Sequence, residues 1–133
     1  MTVKEFIDLF DSYEGDAGNI ELEIVNYIPF NQKVDLCRAI IDDTTHDENG
    51  DFKMNSAFRN VLYRLVLINT YTNIEVDFGN AVEEFDMLES RYAINILFTY
   101  INDDEIRRFD EIMQCELNDL YQNERSQAAI ARR

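Results

Sequence analysis

Residues 55–71 read NSAFRNVLYRLVLINTY. Phe58, Val61, Leu62, Leu65, Val66, Ile68 and Tyr71 recur at the spacing of a helix, not at the alternation of a strand. They fill more than one helical face, so other elements must cover this helix on several sides. Asn55 or Ser56 supplies the side-chain oxygen that caps a helix start. This segment is therefore expected to be the most buried helix of an all-α domain.

The same signals repeat on both sides of it. Thr2 and Glu5 form a capping box before Phe6, Ile7, Leu9 and Phe10, which predicts a helix over 2–14 that ends at Gly15 to Gly18. Residues 19–28, NIELEIVNYI, alternate apolar and polar. A lone strand has no partner here, so a helical turn or an extended linker is preferred over a strand, and the three stay open. Pro29 marks a boundary and Asn31 is a candidate N-cap for a helix through Val34, Leu36, Cys37, Ile40 and Ile41. Residues 42–52 form a polar break, and 72–79 a loop. Asn80 with Glu83 predicts one helix through Phe85, Leu88, Tyr92, Ile96 and Ile101. Asn102, followed by Asp103, Asp104 and Glu105, predicts a last helix through Ile106, Phe109, Met113, Leu117 and Leu120, its acids at the positive end of the helix dipole. With 133 residues, one Pro and four Gly, the chain is expected to be a single domain (1–133) of about five helices, bundle-like or shortly solenoid-like.

Charge bounds the partners. The chain holds 27 acids against 12 bases, a formal net charge of −15. Such a field repels nucleic-acid phosphates and anionic lipid, which argues against direct DNA or RNA binding and for a protein partner. Only the end, RSQAAIARR, reverses sign. Residues 126–133 are first read as a flexible basic tail; Arg125, Arg132 and Arg133 alternatively meet the helix's own negative end or an acidic neighbouring copy. No apolar run reaches membrane-spanning length, and MTVKEFIDLF lacks the basic start of a targeting segment.

Chemistry-bearing constellations are sparse. With Gly50 at the sixth position of a calcium loop, Asp47, Asn49 and Asp51 fall on ligand positions, but Thr45 and Ser56 stand where the strongest ligands belong. A polar interhelical turn built on Asn49-Gly50 is the simpler reading. His46 is the only histidine, Cys37 and Cys115 match no metal spacing and sit in apolar patterns that predict buried thiols, and no glycine-rich loop could cradle phosphate. No enzyme activity, metal or cofactor is expected. Asp42, Asp43, Asp47, Glu48 and Asp51 form a candidate acidic interaction surface. A solvated face is the first reading of it; mimicry of a DNA backbone, to inhibit a nuclease or other nucleic-acid-binding protein, is the alternative. Tyr71, Phe78, Tyr92, Tyr100 and Tyr121 are candidate aromatic interface anchors, from nine Phe and seven Tyr in total.

Three segments together carry a resemblance: KEFIDLFDSYEG (4–15), YIPFNQKVDLCRAIID (27–42) and INTYTNIEVDFGNAVEEFDML (68–88). Over roughly 4–125 the chain resembles small acidic helical proteins encoded among the structural genes of tailed bacteriophages of Gram-positive bacteria. The resemblance implies synthesis in the bacterial host cytoplasm and a role as a component or assembly factor of the virion head, neck or tail. Its partners would be other virion proteins or copies of itself. It carries no site residues and implies no reaction.

Overall fold

The computed structural model describes the backbone of residues 1–131 and the side chains through Arg125. Six helices form: α1 (Val3–Ser12), α2 (Phe30–Thr44), α3 (Ser56–Tyr71), α4 (Ala81–Glu89), α5 (Ala93–Phe98) and α6 (Asp103–Ala131). Short 3-10 turns occupy Ala17–Asn19 and Phe78–Asn80. Among the described residues no strand forms, and none of their helices is long and apolar enough to cross a membrane. The fold is all-α, as its periodicity predicts. The helices pack in series: α6 lies on α2, α2 on α3, α3 on α4 and α5, and α4 on α1. One apolar cluster runs through all six.

Local caps follow the sequence where the acceptor is a near neighbour. Thr2 Oγ1 accepts from Glu5 N–H, Asn55 Oδ1 from Phe58 N–H, and Asn102 Oδ1 from Asp104 N–H. Other boundaries differ. α2 starts at Phe30 behind Pro29, whose fixed φ suits a helix entrance, so Asn31 is not the cap. Asn80 makes no cap bond either: Asp77 binds Gly79 N–H and Asn80 Nδ2, while Glu84 accepts from Asp77 N–H. The single helix expected over 80–101 is two. Tyr92 takes a left-handed backbone (φ 57°) between α4 and α5, which turns Ile94 and Leu97 inward and Tyr92 outward. Arg91 stabilises the break. Its Nε reaches both oxygens of Asp11 on α1, and its Nη1 donates to the Met87 carbonyl at the end of α4. The basic tail expected at 126–133 continues as α6 through Ala131, and Arg132 and Arg133 lie outside the described residues.

Residues 20–29 are extended without a strand partner. Three of their backbone N–H groups are held by side chains and a helix end, which replaces the ladder a strand partner would supply. Glu23 N–H binds Asn73 Oδ1, Val25 N–H binds the Tyr71 carbonyl at the end of α3, and Ile28 N–H binds Glu105 Oε1.

Glu105 is the centre of the one buried polar network described. Its Oε2 lies 2.8 Å from Lys33 Nζ, and its Oε1 also accepts from Tyr71 Oη at 3.3 Å. Lys33 donates again to the Ile28 carbonyl and sits over the Tyr27 ring, 4.5 Å from its centroid. Burial alone would raise the Glu105 pKa. Hydrogen bonds from Lys33, Ile28 N–H and Tyr71, with the Lys33 charge, outweigh it and hold the carboxyl below the usual glutamate range.

Removing one partner strands a buried charge. Lys33→Met or Glu105→Gln alone is expected to cost about 3–5 kcal/mol in urea unfolding, and the double variant to recover roughly half or more of that. Because the folded Glu105 pKa is depressed, its contribution is complete above the unfolded value of about 4.3 and is lost as pH falls through the lower folded value. The acid limb of a wild-type stability–pH curve should therefore flatten in the double variant. A second expectation concerns Tyr92. Glycine carries no Cβ penalty in the left-handed region, so Tyr92→Gly should leave stability unchanged or raise it by about 1 kcal/mol, measured by thermal melting.

Candidate functional site: a groove between α2 and α3

α6 covers one side of α2, where Cys37 and Ile41 are buried and Arg38 meets Glu116. The side of α2 that faces α3 is left partly open. There Leu36, Ala39, Ile40 and Asp43 of α2 face Phe58, Leu62 and Val66 of α3 across a groove of about 550 Å³. Asn69, Thr70 and Phe78 close its far end. Past Phe78 a shallower extension of about 230 Å³ runs between Phe58 and the start of α4, lined by Val82 and Glu83. Leu36, Phe58 and Val66 are only half-buried, and Phe78 and Val82 keep 43% and 54% of their surface. Ile40 and Leu62 are buried at its base, and Ala39 is an exposed lining residue, so a long side chain there would obstruct the groove. The charged residues that line groove and extension are Asp43 and Glu83, both acidic. An apolar floor of this size with an acidic edge suits the apolar face of an amphipathic helix with basic flanks.

The five acids expected to form one surface are divided by the fold. Asp42 and Asp43 point into different clefts: Asp42 toward Glu116 and Asp119 beside α6, Asp43 into the α2–α3 groove. Successive helical residues are about 100° apart, so neighbours in sequence cannot share a face. Asp47 turns its Oδ1 onto the N–H groups of Asn49 and Asp51, within a turn where Gly50 has φ 81°. That is the interhelical turn read from Asn49-Gly50. An isolated bridge between His46 and Phe52 closes it. Glu48 and Asp51 are exposed on the same loop.

The aromatic candidates also separate. Tyr71 is 0% exposed, its hydroxyl held by Glu105, so it is a core residue and not an interface anchor. Phe78 borders the groove. Tyr92 is the most exposed at 73%; it and Tyr100 flank α5, and Tyr121 lies on α6 in a polar cleft with Ser56 and Arg59. They form no common patch with Phe78. The groove residues that the sequence reading placed in the core are Leu36, Phe58 and Val66. The signal for them was present: α3 is apolar on more faces than its neighbours can cover.

Cys37 is buried and its thiol donates to the Phe109 carbonyl at 3.7 Å. Burial, then the charges of Glu116 and Asp110, push its pKa up to about 12, so it stays protonated and unreactive. Cys115 was expected to be buried too, but it lies on the exposed face of α6. The spacing to Ile112 and Met113, both buried, explains this: residue 115 falls between their turns. Among the described residues no three His, Cys, Asp or Glu side chains come together at metal-binding range.

Comparison of the chain with protein-family models, with curated proteins and with solved structures gives no match.

The cysteine geometry gives a direct expectation. One thiol per folded chain should react promptly with a chromogenic disulfide reagent, and the second only after unfolding in denaturant. Two prompt thiols would contradict the packing of α2 on α6.

Proposed function

We propose that this chain is a non-enzymatic interaction protein, and that its α2–α3 groove receives an apolar helical segment of a protein partner. The observation that carries the reading is the half-covered apolar floor of the groove with acids at its edge. Apolar surface gathered in a concave site, rather than scattered singly, marks a place where something docks.

We further propose a setting for it. The three segments that resemble tailed-phage proteins support a structural or assembly component of the virion, made in the bacterial cytoplasm, with other virion proteins as partners. A net charge of −15 fits a protein that must work beside packaged DNA without binding it. Mimicry of DNA by Asp42, Asp43, Asp47, Glu48 and Asp51 ranks below this, because those carboxylates do not lie along one face.

Ala39→Arg tests the reading. The residue is exposed on a helix, so the change blocks the groove without disturbing the core. Tagged wild-type protein in lysate of phage-infected bacteria should retain a capsid, portal or tail protein through a high-salt wash. Ala39→Arg should lose it, and Asp42→Asn with Asp51→Asn should keep it. A DNA-binding partner that is released by salt or by added DNA, and is indifferent to Ala39→Arg, would replace this reading with the mimic.

A further inference from the structure

We propose that one occupant of the groove is the basic C-terminal arm of a second copy of this chain, so that copies join head to tail. The inference rests on the docking reading above and names the partner.

Three observations carry it. First, α2 and α6 run parallel: Lys33 meets Glu105, Cys37 meets the Phe109 carbonyl, and Arg38 meets Glu116. α2 ends at Thr44, whereas α6 has 29 residues, about 43 Å of helix. Among the residues whose side chains are described, the last of α6 to line a cleft with another helix is Asn123, beside Arg38, Ile41 and Asp42 of α2. From there the backbone of α6 stays helical to Ala131, about 12 Å further along its axis.

Second, the charges are complementary. Residues 125–133, RSQAAIARR, hold three Arg and no acid, in a chain with 27 acids. The groove offers Asp43 and Glu83 and no base. The middle of the arm, Ala128, Ala129, Ile130 and Ala131, is apolar, and so are most residues that line the groove. Apolar residues in the middle with bases at both ends are what an apolar groove with an acidic edge recognises.

Third, an arm cannot enter the groove of its own chain. The groove opens on the α3 side of α2, while α6 lies on the other side and is uninterrupted to Ala131. A return would require a reversal within the helix. The contact joins two different surfaces, so it repeats from copy to copy and builds a ring or an open chain.

Two variants separate the halves of this contact. Ala39→Arg keeps the arm and blocks the groove; removal of residues 126–133 keeps the groove and deletes the arm. Val82→Arg, on an exposed site at the groove extension, is a second groove block should Ala39→Arg melt early. Sedimentation velocity is run on each alone and on an equimolar mixture. The full chain is expected to exceed its monomer mass of 15.7 kDa increasingly with concentration, and to return toward it in about 1 M salt, where charges are screened within about 3 Å. Each variant alone should stay monomeric. The mixture should form a one-to-one dimer and stop, because only one arm and one groove remain. A full chain that is monomeric throughout, one that assembles equally without residues 126–133, or a mixture that does not pair overturns the inference. If a virion protein is still captured through the groove while the chain stays monomeric, the docking reading stands and only the self-partner falls. If Ala39→Arg affects neither, both fall.

Discussion

The pair Lys33–Glu105 is where four separate parts of the chain meet at one buried point. Through Ile28, Tyr27 and Tyr71 it fixes the extended segment 20–29, α2, the end of α3 and the start of α6 to one another. An ion pair at this depth pays for its desolvation only if every donor and acceptor is matched, and here Glu105 accepts three bonds while Lys33 makes two and a contact with an aromatic face. The value of such a network lies in geometry as much as in energy. It selects one register of α2 against α6, which a row of interchangeable apolar side chains would leave open.

That register has a functional consequence. With α6 anchored on one side of α2, the other side faces α3 and Phe78, and the space between them stays partly open. The groove follows from the packing order of the helices. A surface built on helices is held more firmly than one on loops, so it can receive a partner with little ordering cost.

The fold was legible wherever the causes are local. Thr2, Asn55 and Asn102 cap helices three or fewer residues away, and helical periodicity identified α1, α2, α3 and α6. What could not be read depends on distant partners. Glu105 belongs to a run of acids that favours a helix start, and only a lysine 72 residues away in sequence turns it inward. Tyr71 shares the apolar pattern of the core, and its phenol suggests an interface anchor from sequence alone; its hydroxyl finds that same glutamate. The break at Tyr92 is invisible to a capping rule because the contacts around it are distant in sequence, among them Arg91 reaching Asp11 on α1. Of the candidate site, Asp43 and Phe78 were foreseen as surface residues, but their joining across α2 and α3 was not. Asp42 and Asp43 look like part of one patch because sequence proximity hides the turn of α2, whereas Asp47, Glu48 and Asp51 stay together on the loop that follows it.

The most direct test of the groove as the proposed docking surface is amide hydrogen exchange of the protein alone and saturated with a protein partner retained on it from lysate. The account expects slowed exchange in residues 36–43 and 58–70 and around Phe78–Val82, with the loop at 45–52 unchanged. Protection confined to the 45–52 loop and its acids, with α2 and α3 unaltered, would contradict it.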